Sequence, residues 1–413
     1  MILFLSNFKS TVLLSFLICA SCGNPAKNTT AQTENTLEIP TETAPEKIMV
    51  AANRTAIYLP LIKGKKIAVV ANQTSVLYKD TGYTHLVDSL LSLQIDIKKV
   101  FSPEHGFRGK ADAGEKVKDG LDTRTGLPIK SLHGKNRKPT PSQLNDIDLV
   151  LFDIQDVGVR FYTYIATMQL VMEACAEAGI PVLVLDRPNP NAHYIGGPTM
   201  KAEHTSFLGM TKIPLVYGMT IGEYAQMINE EGWLTDGKKT DLTVIPLENW
   251  SRNIAYHLPI RPSPNLPNDT AITLYPSLGL FEGTNVNAGR GTEFQFQRYG
   301  ASFLDSTKYD FSYVPEPNFG SKYPKEEGKT CYGSDLSRTA RMNEFTLKWI
   351  IEAYQNCTDK SKFFLTDGFT KHAGTTKLQE QIEAGLSETE IKATWQADLE
   401  EFQEIRRKYI IYK

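Results

Sequence analysis

Four runs of valine, isoleucine and leucine, each opening into a polar loop, dominate the stretch from Lys66 to about residue 190: KIAVVANQ, DIKKVFSPEHG, DIDLVLFDIQDVGVRFYTY and IPVLVLDRPNP. Their apolar residues are consecutive rather than alternate, so strands built from them have to be covered on both faces. Between them, GYTHLVDSLLSL and IATMQLVMEACAEAG carry apolar residues at helical spacing, and Gly179 supplies a stop for the second helix. Strands buried on both sides and alternating with helices specify an α/β architecture around a parallel sheet. Ligands of such sheets sit beyond the carboxyl ends of the strands. The polar clusters Asn72 and Gln73, Glu104 and His105, Asp153 with Asp156 and Arg160, and Asp186 and Arg187 all fall there.

The pattern loosens after residue 218. TIGEYAQMINEEGWL predicts a helix and DLTVIPLENW a strand, followed by the proline-dense RPSPNLPND and the glycine- and asparagine-rich GLFEGTNVNAGRGTEF. The chain ends in the helical pattern TEIKATWQADLEEFQEIRRKY. These features predict a first domain over 47–218 and a smaller α+β domain over 219–413 packed against it.

The N-terminus has a different character. MILFLSNFKSTVLLSFLICASC holds one lysine and an apolar core from Val12 to Cys19, the pattern of a secretion signal. A membrane span needs about 20 consecutive apolar residues, more than this run supplies. The segment ends in CASCGN, which resembles a bacterial lipobox and marks Cys22 for lipidation, giving an anchored rather than spanning protein. Residues 23–46 are rich in Thr, Asn, Pro and Glu and have too little apolar surface to fold, so they predict a tether. A flexible chain of that length reaches roughly 25–30 Å. Gly23 and Asn24 place no acidic residue after Cys22, and the expected location is the cell envelope, at the outer membrane facing the periplasm.

Several chemistries are excluded. Basic and acidic residues number 45 and 47, a net charge of −2, with no basic run to hold nucleic acid. The first strand is not followed by GxGxxG, so no dinucleotide cofactor is expected, and no cofactor of another kind is indicated. Walker, HExxH and GxSxG motifs are missing, as are an SxxK with its partner motifs and any Cys/His spacing for a metal. Cys175 lies in a helical pattern as a small core residue, and Cys331 and Cys357 are left either paired or free.

Carboxylates, arginines and amides in loops remain. Glu104 stands between Pro103, which fixes the backbone before it, and Gly106, which permits a sharp turn after it, an arrangement suited to a catalytic acid. Glu282 and Glu293 are candidates for a second carboxylate, in a loop with no packing purpose of its own. Asn285, Asn287 and Arg290 suit a polyhydroxylated anionic ligand. His105, Arg108, Asp153, Asp156, Arg160, Tyr162, Arg187 and Asn191 complete the candidate binding residues, and His193 is either a ligand contact or a loop hydrogen-bonder. Asp156 is equally suited to pairing with Arg160.

The blocks FSPEHGFRG, SLHGK, LVLFDIQDVGVRFYTY, VLDRPNP, RPSPNLP, YPSLGLFEGTNVNAGRGTEFQF and IEAGLSETEIKATWQADLEEF occur in one order over residues 48–413. In this they resemble the NamZ-like exo-β-N-acetylmuramidases, glycoside hydrolase family 171. The resemblance implies a Rossmann-like N-terminal domain, a smaller C-terminal domain and a substrate cleft between them. It also implies release of N-acetylmuramic acid from the non-reducing ends of peptidoglycan fragments, with Glu104 as the leading catalytic residue. An arginine is expected to read the lactyl carboxylate of that sugar, from among Arg160, Arg187 and Arg290. The competing expectation is a non-catalytic lipoprotein that binds peptidoglycan fragments in the same cleft.

Overall fold

The sheet at the centre of the molecule grows directly out of the apolar runs. The structure, a computed structural model, describes residues 47–109 and 119–413. Seven strands lie in the spatial order Leu242–Ile245, Val182–Leu185, Leu149–Asp153, Ile67–Ala71, Ile97–Ser102, Pro128–Ser131 and Gly120–Leu121. Neighbours are parallel throughout except the last pair, where Gly120–Leu121 runs antiparallel to Pro128–Ser131.

Consecutive apolar residues divide between two cores, as the two-residue period of a strand requires. Ala68, Val70, Val150, Phe152, Val182 and Val184 enter one cluster. Ile67, Val69, Leu149, Leu151, Leu183 and Leu185 enter the other, on the opposite face. Each large side chain buried in this way contributes about 1.5–3 kcal/mol, and only in Ile97–Ser102 do polar residues, the half-buried Lys98 and Lys99, interrupt a run.

The chain starts in the middle of the sheet at Ile67–Ala71, builds outward through Ile97–Ser102, then returns to the other side with Leu149–Asp153. That reversal is a topological switch point, and the carboxyl ends of these three strands surround it. The helix Tyr164–Ala178 ends as the sequence predicts, with Gly179 left-handed at φ 66° and its N–H on the Cys175 carbonyl.

Two local expectations change. GYTHLVDSLLSL is not helical throughout: Tyr83–His85 pairs as a short strand with Val76–Tyr78, and the helix is Leu86–Ser92. His85 makes the break, its Nδ1 accepting from the Val87 N–H at 3.2 Å as an N-cap. The strand in DLTVIPLENW, assigned from sequence to the second domain, adds to the parallel sheet beside Val182–Leu185. The sheet therefore extends past the expected boundary at residue 218, and Lys47–Lys413 forms one compact unit.

The remainder is α+β: an antiparallel sheet of Arg298–Ala301, Cys331–Asp335 and Phe311–Tyr313, with helices from Lys348–Gln355 to Gln396–Arg407. Cys175, Cys331 and Cys357 are buried free thiols. Among the described residues no helix is long and apolar enough to cross a membrane, and no group of three or more His, Cys, Asp or Glu could hold a metal ion. The signal-like segment, Cys22 and the tether lie outside the described residues.

Candidate active site

The strand Ile97–Ser102 delivers Pro103 and Glu104 to the switch point. The turn after them closes through the Gly106 N–H on the Pro103 carbonyl at 3.1 Å. Two successive residues there are left-handed, His105 at φ 68° and Gly106 at φ 81°. Glycine adopts that conformation freely, but for histidine it costs about 1–2 kcal/mol, strain of the kind that collects at functional sites. The turn places Glu104 and His105 in the wall of a cavity of 350 Å³. The Thr163 hydroxyl, one residue before the helix Tyr164–Ala178, donates to Glu104 Oε2 at 3.1 Å. Arg108 turns elsewhere: its Nη2 sits 2.7 Å from Asp122 and 3.1 Å from Asp88, tying down the far end of the loop.

The second half of the chain supplies the facing groups. Helix Asp269–Leu278 brings Tyr275, and the 3₁₀ turn Gly279–Gly283 that continues it brings Glu282. Arg290 Nη2 pairs with Glu282 Oε2 at 3.1 Å. Lys325 crosses behind, its Nζ donating to the carbonyls of Phe281 and Glu282 at 3.0 and 2.9 Å. Burial alone would raise the Glu282 carboxyl, but Arg290 and then Lys325 outweigh it and hold the group below the ordinary glutamate value. His372 lies near the end of the helix Thr366–Ala373 and donates from Nδ1 to the Gly368 carbonyl at 2.8 Å. Burial lowers its pKa, so the ring is neutral with Nε2 as an acceptor. Burial, then the charge of Glu282, push the Tyr275 phenol well above its ordinary value, so it stays a neutral donor. Phe161, Tyr162 and Phe296 give the cavity apolar walls.

Of the residues singled out from sequence, the cavity gathers Glu104, His105, Tyr162, Glu282 and Arg290. The others have different employment. Arg160 is 1% exposed, and its four bonds go to the carbonyls of Pro198, Ile213, His372 and Ala373. It does not pair with Asp156, whose Oδ2 instead accepts from the Gly158 N–H at 2.6 Å and from the Tyr217 hydroxyl. Burial pushes the Asp156 carboxyl up to about 6. Arg187, also 1% exposed, closes a two-pronged pair on Asp153 at 2.6 and 2.8 Å. Asn191 donates to the carbonyls of Val157 and Ile272, and Asn285 to that of Lys362. Glu293 is exposed on the surface, and His193 bonds the Met342 carbonyl and Arg341. These side chains brace the structure rather than face the cavity.

Two family models match the chain: the N-terminal region of the exo-beta-N-acetylmuramidase NamZ over residues 67–270 and its C-terminal region over 273–412. The chain belongs to the NamZ exo-beta-N-acetylmuramidase family. The peptidoglycan beta-N-acetylmuramidase NamZ of Bacillus subtilis (strain 168) is 39% identical to it over 374 residues, 86% of this chain and 89% of that one. Two crystal structures of DUF1343 family proteins from Bacteroides fragilis NCTC 9343 are similar. One is 40% identical with a TM-score of 0.81, the other 26% identical with a TM-score of 0.72. Each similarity covers 89% of this chain and 99% of the other. Membership of the NamZ family makes the chain a glycosidase, not the non-catalytic binding protein that the sequence left as an alternative.

In NamZ terms, Glu104 comes from the N-terminal region, and Glu282, Arg290 and His372 come from the C-terminal one. Sequence reasoning missed Thr163, Ser263, Asn265 and His372, all of which line the cavity. Ser263 and Asn265 had a signal, the proline-dense segment that holds them. That segment is fastened where Gln73 Nε2 and the Tyr162 hydroxyl donate to the Pro262 carbonyl, at 3.0 and 2.7 Å. His372, a single histidine on a helix far along the chain, had none.

Proposed function

We propose that the protein cleaves the β-glycosidic bond of N-acetylmuramic acid at the non-reducing ends of peptidoglycan fragments, releasing the sugar for recycling. Glu104 is the general acid. Its supporting observation is the meeting of two unlike carboxyl groups in one cavity. Glu282 is held ionised by Arg290 and Lys325, which leaves Glu104, bonded by the Thr163 hydroxyl, as the proton donor. A cavity of 350 Å³ is near the small end of the ~300–1,000 Å³ range of ligand sites and suits one terminal sugar better than a run of them.

Cleavage of a glycosidic bond needs a proton on the departing oxygen and negative charge near the oxocarbenium-like centre left behind. Glu104 supplies the first and the carboxylate of Glu282 the second. The neutral phenol of Tyr275 and the neutral ring of His372 offer a donor and an acceptor to the sugar's hydroxyl and acetamido groups. With a chromogenic β-N-acetylmuramide and with a muramic-acid-terminated disaccharide, the purified protein should liberate free N-acetylmuramic acid. Glu104→Gln, which keeps the shape and removes the proton, should lower kcat on the disaccharide by about 10²–10⁴-fold. An unimpaired glutamine variant would place the acid elsewhere.

The substrate's location agrees with an envelope protein. The N-terminal pattern supports a lipid anchor at Cys22, with the tether of 23–46 holding the enzyme off the outer membrane on its periplasmic side.

A further inference from the structure

Arg290 is not exhausted by its partner. Its Nη2 is engaged by Glu282, yet its Nε is buried with no hydrogen-bond partner among the described residues, in the wall of the cavity. A buried donor without an acceptor is costly and calls for a reason. Nε itself is shielded from solvent, but the side chain as a whole remains 24% exposed, so a ligand in the cavity can reach the guanidinium.

The loop that carries Arg290 is rigid. Gly289 and Gly291 on either side are left-handed, at φ 78° and 76°. A Cβ on the first would meet the Phe294 carbonyl oxygen at 2.4 Å and one on the second Pro324 at 2.7 Å, so only glycine fits both places. Asn287 accepts from the Gly289 N–H at 2.6 Å and donates to the carbonyls of Arg290 and Lys325 at 3.0 and 2.8 Å. The guanidinium stands 5.4 Å from the centre of the Phe296 ring. The charge balance matters as well. Arg290 and Lys325 together face the single carboxylate of Glu282, and His372 beside them is neutral. On the Glu282 side of the cavity, positive groups thus outnumber the carboxylate two to one.

We propose that Arg290 is the specificity-determining residue of the cavity, its partly open guanidinium receiving the carboxylate of the lactyl ether that distinguishes N-acetylmuramic acid from N-acetylglucosamine. The proposal rests on the reading of the cavity as a site for muramic acid. A guanidinium edge binds a carboxylate through directional, charge-assisted bonds that a neutral hydroxyl or amide cannot replace. A sugar lacking the carboxylate leaves the buried donor unmatched, the situation in which polar sites discriminate most strongly.

The test compares three chromogenic β-glycosides on the full-length protein: the N-acetylmuramide, its neutral lactyl amide, and the N-acetylglucosaminide. The wild type should prefer the muramide over the amide in kcat/KM by roughly 10²-fold or more. In Arg290→Gln that ratio should fall to about one, whatever loss both substrates share through the disturbed Glu282, and Arg290→Lys should restore part of it. Wild-type rates that are equal on muramide and amide overturn the proposal while leaving the muramidase reading intact. So does an Arg290→Gln variant that keeps the ratio, since the arginine then serves only to hold Glu282. Absence of activity on all three glycosides defeats the muramidase reading itself.

Discussion

Replacing Arg160 by methionine tests whether this arginine is a brace or a reader of substrate. The guanidinium is 1% exposed and spends its four bonds, of 2.7–2.9 Å, on the carbonyls of Pro198, Ile213, His372 and Ala373. Gly209 and Gly374 make room for it, since a Cβ on either would stand 3.1 or 2.7 Å from the Arg160 side chain. Bonds from a charged donor contribute about 1.5–3 kcal/mol each, so four are worth roughly 6–12 kcal/mol before costs. Burying the charge takes back several kcal/mol. Methionine fills the volume but takes the charged donor from four carbonyls, of which Ile213 keeps the Met200 N–H at 3.0 Å, so the net loss should be about 3–5 kcal/mol, the size found when one partner of a buried charged pair is removed. That is a large part of the ~5–15 kcal/mol that holds a typical protein folded. At about 2 °C per kcal/mol for a body this large, the melting temperature should fall by roughly 6–10 °C. Thermal unfolding by circular dichroism is the assay, with KM for the muramide measured below the transition. A melting temperature within about 2 °C of wild type, joined to a raised KM, would refute the reasoning and return Arg160 to the binding site.

Three further outcomes are expected. Glu104→Gln should lose less activity on an aryl glycoside than on a disaccharide, because an activated leaving group departs with little protonation; equal losses would deny it the role of acid. Stability should fall as pH drops from about 6.5 to about 4, because burial holds His85 neutral with a pKa of about 4 while the unfolded chain takes up the proton near 6.5. Protons therefore favour the unfolded state across that window, at about 1.4 kcal/mol per pH unit from this group, and His85→Asn should flatten the slope of urea midpoints against pH. Cys22→Ala should move the protein from the membrane fraction to the soluble one, and retention at the membrane would remove the lipid anchor from the account.

The sheet was legible because burial on both faces demands consecutive apolar residues, a pattern that survives in one dimension. Glu104 was legible for a related reason: a strand of that kind ends at a definable residue, and the loop beyond that residue lies on the ligand-binding rim. The partner of a strand is not written in the same way. Leu242–Ile245 pairs with Val182–Leu185, some sixty residues earlier, and nothing local tells it apart from a strand of the second domain. His372 illustrates the same limit, since it reaches the cavity through the packing of a helix more than 260 residues beyond Glu104.

The arginines show what decides between structure and function once the chain has folded. Arg108, Arg160, Arg187 and Arg290 all lie in loops with polar neighbours, and residue type alone ranks them equally. What separates them is the supply of acceptors and the access of solvent. Arg108 is taken up by Asp88 and Asp122, Arg187 by Asp153, and Arg160 by four carbonyls contributed by segments 38 to 213 residues away. Arg160 and Arg187 do each retain an unbonded nitrogen, Nε and Nη1, but at 1% exposure nothing from solution can reach it. Arg290 combines an unbonded nitrogen with a side chain still 24% open and aimed at the cavity that holds Glu104. An arginine becomes available to a ligand where the fold gives it fewer acceptors than it has donors and leaves part of its side chain open, and among these four that condition is met at Arg290.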